Sequence, residues 1–176
     1  LTSAANAAVA ASAPQRRVAM DRKGHVAATE VMGNPWGHIV LRGSESGPNY
    51  GNDTVMAAGQ LMAKAGFEGR RVVVDCSHGN SRKKHELQVD ACESVAEQVA
   101  EGNSPIAGVM IESFLEAGAQ TLDPGVTPLA DLKYGVSVTD ACLGFEATEA
   151  LLGTLASAAR ARRKVGLSWR EAAGSG

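Results

Sequence analysis

The sequence predicts an α/β fold built around a parallel sheet. Three apolar runs of strand length begin near residues 38, 71 and 106, and a pattern that fits a helix follows each of them. Strands that recur about every 34 residues, with helices between them, are typical of strand–helix units whose strands run parallel. The length of 176 residues, 44% of them hydrophobic and 20% charged, fits about one globular domain.

Charge and hydropathy argue against two classes of partner. Seventeen basic and 19 acidic side chains give a net charge of −2, so we expect no nucleic-acid partner. No apolar run reaches the ~18 residues that a membrane span needs, so we expect no membrane partner. The three cysteines have neither a CxxC spacing nor that of a small secreted framework, which predicts a cytoplasmic location.

The segment before the three strand–helix units predicts a helix and a β-hairpin. Residues 1–12 are Ala-rich and weakly amphipathic, and Pro14 stops the helix. Residues 17–21 and 25–31 have strand character, and Gly24 between them supplies a left-handed turn residue.

The first two strands differ in their surroundings. Residues 38–42 are followed by a loop rich in turn formers and then by a helix, which Asn52 or Asp53 can cap and Gly66 ends. Residues 71–75 carry a continuous β-branched run, which fits a parallel strand covered on both faces.

The rest of the chain predicts two more helices and the third strand. A helix reaches about residue 100, and residues 106–111 form the strand. A loop runs from 113 to 139, and a loop of that length in a compact domain usually has a function. The last helix spans 146–163, and we expect a loosely ordered tail from 165 to 176. The core face of the last helix is predicted to hold Ala147, Ala150, Leu151, Thr154, Leu155 and Ala158.

Each predicted strand ends in a polar group that can carry chemistry. Arg42 ends the first strand, Asp75 ends the second with His78 three residues later, and Glu112 ends the third. Asp140 lies in the long loop before the last helix. Because the carboxyl ends of parallel strands carry the active residues of barrels and open α/β sheets, we expect these side chains to converge.

The residue types predict a divalent metal beside an anion site. One imidazole and two carboxylates (His78, Glu112 and Asp140) suit Mn²⁺ or Fe²⁺, and Arg42 can grip a phosphate or carboxylate by two bonds. Each residue alone also has an ordinary reading: a loop histidine, a solvated carboxylate, a helix cap or a structural ion pair. Their convergence favours chemistry on a phosphorylated metabolite without identifying the reaction.

These motifs resemble the type I 3-deoxy-7-phosphoheptulonate (DAHP) synthases. The resemblance covers nearly all of residues 1–163, in several motifs in the right order. The matching stretches are GHIVLRG (37–43), PNY (48–50), VVVDCSHGNS (72–81), GVMIESFLEAG (108–118), YGVSVTDACLGFE (134–146) and LASAARARR (155–163).

The resemblance implies a fold and a reaction. The fold is the C-terminal portion of a (β/α)8 TIM barrel, about strands six to eight with an extra hairpin, over residues 1–163, and residues 164–176 form a tail. The reaction is a condensation of phosphoenolpyruvate with erythrose 4-phosphate and water, which gives DAHP and phosphate. This is the first step of the shikimate pathway to chorismate and the aromatic amino acids.

The resemblance also implies roles for the site residues. His78, Glu112 and Asp140 are metal ligands, His78 and Asp140 are catalytic, and Arg42 holds the phosphate of phosphoenolpyruvate. The metal is Mn²⁺, with Fe²⁺ as the second choice. The fourth ligand of the family is a cysteine outside this sequence, and Cys76 does not occupy its place.

The resemblance finally predicts that this chain is inactive alone. The sequence starts at Leu1 rather than Met, and we expect it to be the C-terminal half of a longer enzyme that is an oligomer when full length. Activity and stability would then need the N-terminal half. Two alternatives stay open: a non-catalytic fragment acting as an interaction or relic module, and another metal-dependent keto-acid phosphate synthase. By resemblance, residues 17–31 also help form an effector pocket for an aromatic amino acid.

Overall fold

The structure is a computed structural model that describes residues 1–69, 71–102 and 104–173. Its described elements are one hairpin, three further strands and four α-helices, with two short 3₁₀ turns. In chain order these are α1 (Thr2–Ser12), β1 (Gln15–Met20), β2 (Val26–Val31), β3 (Ile39–Leu41), α2 (Asn52–Lys64), β4 (Val72–Asp75), a 3₁₀ turn (His85–Leu87), α3 (Gln88–Ala100), β5 (Ile106–Met110), a second 3₁₀ turn (Leu129–Asp131) and α4 (Phe145–Ala173).

The prediction of a parallel sheet is confirmed. The three strands β3, β4 and β5 lie side by side in chain order, and both pairs run parallel. Val72 pairs with Ile39 on one side and with Ile106 on the other, so the β-branched run of β4 occupies the centre. The carboxyl ends of all three strands therefore point to the same edge, as the site prediction requires.

Helix α2 and the sheet form the main core. The buried side chains of α2 are Val55, Ala58 and Met62, three or four residues apart on one face. They belong to the same buried cluster as the inward side chains of β3, β4 and β5, which are Ile39, Leu41, Val72, Val74 and Ile106. The helical pattern predicted for this segment is confirmed, although the residue that caps the helix is Gly51 and not Asn52 or Asp53.

Helix α4 packs mainly on α3 and corrects two sequence predictions. Leu151 and Ala158 are buried and Leu155 is partly buried, whereas Ala147, Ala150 and Thr154 are exposed. The buried stripe is narrower than predicted because α4 lies at the outside of the fold and rests mainly on one neighbour. The helix also continues to Ala173 instead of ending near 163, and residues 174–176 lie outside the described part of the chain.

The predicted hairpin is confirmed as strands β1 and β2. The two strands pair antiparallel from Gln15 opposite Val31 to Met20 opposite Val26. Gly24 adopts a φ of +83°, the left-handed conformation that the turn requires.

Within the described residues, no helix has both the length and the apolar character needed to cross a membrane.

Candidate metal centre and anion groove

The strand ends bring together the three residues predicted to bind a metal. His78 follows β4, Glu112 follows β5, and Asp140 lies in the loop that leads to α4. Each of the three side chains offers one ligand atom, and these atoms all lie within 4.8 Å of one another. The sequence prediction that these side chains converge therefore holds in the structure.

Imidazole Nε2 of His78 occupies the middle of the group. It lies 3.5 Å from Oε1 of Glu112 and 3.8 Å from Oδ2 of Asp140. The side chains of His78 and Glu112 are about a quarter exposed, at 27% and 28%, whereas that of Asp140 is 75% exposed. Two ligand atoms are thus held by the protein interior and the third faces solvent.

Two buried residues lie behind these side chains, Asp75 at the end of β4 and Ser77 in the loop that follows. Nδ1 of His78 lies 2.8 Å from Oδ2 of Asp75, whose side chain is only 4% exposed. The hydroxyl of Ser77 donates a hydrogen bond of 2.8 Å to Oε2 of Glu112, which leaves Oε1 facing His78. A carboxylate behind the second nitrogen of a histidine and a donor behind a carboxylate are typical surroundings of metal ligands.

Asn80 ties the loop of His78 to the ends of β3 and β4. Its side-chain amide donates to the carbonyls of Leu41, at 3.0 Å, and Asp75, at 2.7 Å. Its side-chain oxygen accepts from the main-chain N–H of Asn49 at 2.7 Å, and Asn80 is buried. The sequence analysis did not single out Asn80 as a site residue, because an asparagine after a histidine in a polar stretch reads as an ordinary turn former.

Two main-chain segments cross closely beside Asn80, at Gly43 and at Gly79. A Cβ atom added to Gly79 would lie 2.5 Å from the main-chain nitrogen of Ser44 and 2.6 Å from the carbonyl carbon of Gly43. Glycine is therefore required on both sides of the crossing. The crossing places the loop after β3, which begins with Arg42, directly against the loop of His78.

A groove of about 780 Å³ lies where these two loops meet. Arg42, the residue predicted to hold a phosphate, lines it together with His78 and the loop from Gly43 to Gly47. Arg82 and Lys83 line the same groove, although sequence analysis did not assign them a role. The groove also contains one acidic residue, Glu45, so cationic side chains outnumber it three to one.

Lys83 lies between the groove and the candidate metal centre. It also lines the small cavity that holds His78, Glu112 and Asp140. Arg82 and Lys83 have φ values of +51° and +60°, a conformation that is costly for residues other than glycine. The basic run Arg82-Lys83-Lys84, which begins four residues after His78, was the available sequence signal for these two residues.

The cysteines take structural positions. Cys76 and Cys92 are fully buried in one apolar cluster. The hydrogen bond with Cys92 and burial raise the pKa of the Cys76 thiol far above its ordinary value. Burial also raises the pKa of Cys142. The thiols of Cys76 and Cys142 are therefore neutral near pH 7, which disfavours a thiolate nucleophile at either position.

Comparison with known proteins identifies the family. Residues 4–153 match the model of the DAHP synthetase I family. The chain belongs to this family. It is 43% identical over 152 residues to the Tyr-sensitive phospho-2-dehydro-3-deoxyheptonate aldolase of Enterobacter agglomerans, covering 86% of the chain and 69% of the relative. Against the Tyr-sensitive enzyme of Escherichia coli K12 it is 44% identical over 152 residues, covering 86% of the chain and 41% of the relative.

A solved structure matches the fold. The phospho-2-dehydro-3-deoxyheptonate aldolase of Francisella tularensis SCHU S4 superimposes with a TM-score of 0.81 at 39% identity, over 92% of this chain and 45% of that chain. This family member is thus similar in both sequence and three-dimensional arrangement. The chain spans less than half of the Francisella and Escherichia coli relatives, at 45% and 41% of their lengths.

Proposed function

We propose that this chain carries the metal centre and part of the phosphate site of a DAHP synthase. The observation that carries the proposal is the meeting of His78, Glu112 and Asp140 at the carboxyl ends of a parallel sheet. The proposed reaction condenses phosphoenolpyruvate with erythrose 4-phosphate and water. A carbon–carbon bond forms between C3 of phosphoenolpyruvate and the aldehyde carbon, and phosphate is released.

The residues fit a divalent metal on chemical grounds. One nitrogen and two carboxylate oxygens suit Mn²⁺ first and Fe²⁺ second. Asp75 behind His78 and Ser77 behind Glu112 supply the outer contacts that such ligands need. When bound, the cation would supply Lewis-acid polarisation of the erythrose 4-phosphate aldehyde.

The cationic groove fits the phosphorylated substrates. Arg42 offers a planar pair of donors for the phosphate of phosphoenolpyruvate, and Lys83 adds a point charge between the groove and the ligand cluster. Holding both reactants at fixed distance would lower the entropic cost of the condensation. Asp140, the most exposed of the three ligands, is the one best placed to exchange a proton with substrate or water.

The architecture supports a partial barrel that needs a complement. Among the described residues, β3 and β5 each pair on one side only, so the parallel sheet has two uncovered edges. We propose that residues 1–163 form the part of a (β/α)8 barrel that contains strands six to eight. Cationic and ligand groups from the N-terminal half would then complete the site, and the isolated chain would be inactive.

The proposal is tested by reconstitution. Phosphate release from phosphoenolpyruvate and erythrose 4-phosphate is measured with Mn²⁺, for the chain alone and for the chain mixed with the N-terminal half of the Escherichia coli K12 relative. We expect turnover only in the mixture, and its loss in His78→Ala. His38→Ala is the matched control, because His38 is exposed and does not line the metal cavity.

Two results would overturn parts of this proposal. Turnover by the chain alone would contradict the need for a complement. If both chains fold and associate but release no phosphate, the assigned ligands are wrong or the chain is a non-catalytic relic.

A further inference from the structure

A buried glutamine forms hydrogen bonds with both main-chain polar groups of Glu112. The side-chain oxygen of Gln88 accepts from the main-chain N–H of Glu112 at 2.8 Å, and its amide donates to the carbonyl of the same residue at 3.1 Å. Gln88 is fully buried. A side-chain amide that pairs with both main-chain groups of one residue acts as a single peptide unit of a neighbouring strand would.

Glu112 needs such a partner because the sheet ends just before it. The pairing of β4 with β5 finishes at Asp75 opposite Met110, and the last contact across it is the N–H of Cys76 to the carbonyl of Met110. On the other side, the N–H of Leu143 donates to the carbonyl of Glu112 at 2.9 Å. The N–H of Glu112 is thus held by the side chain of Gln88.

The place of Gln88 in the chain links it to the second ligand. It is the first residue of α3, and the segment between β4 and α3 carries His78. The hydrogen bonds of Gln88 therefore tie the far end of the His78 loop to the end of β5. A shift of Gln88 would move the main chain of Glu112 relative to Nε2 of His78, which lies 3.5 Å from the carboxylate.

We infer that Gln88 is a positioning residue for the metal centre, acting through Glu112. The inference rests on the proposed metal function. Gln88 sets where the Glu112 main chain stands, and Ser77 sets which oxygen of its carboxylate faces His78. Gln88 affects the spacing of the ligand atoms and does not contact the metal, because both polar atoms of its side chain are bonded to the main chain of Glu112.

The same helix offers a matched control. Gln98 is also buried on α3, and its amide donates to the carbonyl of Tyr50 at 2.9 Å, away from the ligand cluster. Gln88→Met and Gln98→Met remove the same amide from two buried sites of one helix. Mn²⁺ affinity is measured by electron paramagnetic resonance on the chain with its N-terminal complement, and exchange of the Glu112 amide hydrogen is measured without metal.

We expect Gln88→Met to weaken Mn²⁺ binding by about 10- to 100-fold, the usual effect of removing an outer-shell partner. Gln98→Met should change it less than about threefold, even if both variants lose similar thermal stability. The Glu112 amide should exchange at least about tenfold faster in Gln88→Met and at the parent rate in Gln98→Met. A Gln88→Met variant that folds and binds Mn²⁺ within about twofold of the parent overturns the inference.

Two further outcomes separate this inference from the proposed function. If the parent binds no Mn²⁺, the proposed metal function fails, and an unchanged Glu112 exchange rate then overturns the positioning role as well. If Gln88→Met does not fold, Gln88→Glu replaces it, because glutamate keeps the acceptor for the N–H of Glu112 but loses the donor. In that variant, faster exchange of the Glu112 amide together with weakened Mn²⁺ binding supports the inference, and either change without the other overturns it.

Discussion

Replacing Asn80 by alanine should destabilise the chain more than any exposed polar substitution. The change removes three hydrogen bonds, to the carbonyls of Leu41 and Asp75 and from the N–H of Asn49. At about 1 kcal/mol each, the bonds account for about 3 kcal/mol of the free energy of unfolding. The buried carbonyls of Leu41 and Asp75 and the part-buried N–H of Asn49, each deprived of this partner, raise the loss to about 5 kcal/mol.

The assay is a urea titration followed by far-ultraviolet circular dichroism. A stabilising osmolyte in every sample keeps a folded baseline for weak variants. With a slope of about 2 kcal/mol per molar urea, the midpoint of Asn80→Ala should fall by about 1.5–2.5 M. The control is Asn34→Ala, because Asn34 is exposed and its side-chain oxygen accepts one bond, from the N–H of Trp36.

The control midpoint should move by less than about 0.5 M, since one exposed hydrogen bond is worth about 1 kcal/mol or less. An Asn80→Ala midpoint within about 0.5 M of the parent would refute the view that this side chain joins the two strand ends. Equal shifts in both variants would refute the argument from burial.

Three further predictions concern the loops and the hairpin. Gly79→Ala should destabilise the chain, because the new Cβ would lie 2.5 Å from the main-chain nitrogen of Ser44. Gly108→Ala is the control and should not destabilise it, because nothing lies within 4 Å of its new Cβ. The midpoints of thermal unfolding compare the two variants. Main-chain hydrogen bonds, of which that from His25 has the largest effect, lower the pKa of Asp21 below its ordinary value of 3.8. This carboxylate therefore stabilises the hairpin above about pH 3.8. That contribution should disappear as the pH falls through the lower folded pKa, and Asp21→Asn should remove the accompanying loss of hairpin amide protection, measured relative to the intrinsic exchange rate at each pH. Lys83→Ala should lower kcat/KM of the reconstituted enzyme by about 10- to 150-fold, since one charged hydrogen bond contributes about 1.5–3 kcal/mol; an unchanged kcat/KM would remove Lys83 from the site.

The proximity of His78 and Glu112 was predictable because it follows a rule of topology. Once three parallel strands are read from the apolar runs, any polar residue just after a strand must lie at one edge of the sheet. Glu112 and His78 satisfy that rule directly, and β5 and β4 end within one residue of the ends of the apolar runs. The prediction needed no knowledge of how the loops are folded.

The surrounding contacts were not predictable for the opposite reason. Asn80 reaches a carbonyl 39 residues earlier in the chain, and Gln88 reaches Glu112 24 residues later. Such pairs depend on the path of a loop, and no periodicity records that path. The exposed face of α4 was also beyond prediction, because alanine and threonine on a helix do not reveal whether a second neighbour covers them.

The segment from Ser77 to Lys84 explains how one loop can serve both the metal centre and the anion groove. His78 and Lys83 both have positive φ values, 51° and 60°, which cost roughly 1–3 kcal/mol each outside glycine. The N–H of Lys83 donates to the carbonyl of His78 at 2.9 Å, so the two strained residues stabilise each other's conformation. Because that bond fixes the separation of the two main-chain positions, a metal that holds His78 would also hold Lys83 beside the groove. Metal binding should therefore strengthen binding of inorganic phosphate to the reconstituted enzyme, and equal phosphate affinity with and without Mn²⁺ would contradict this coupling.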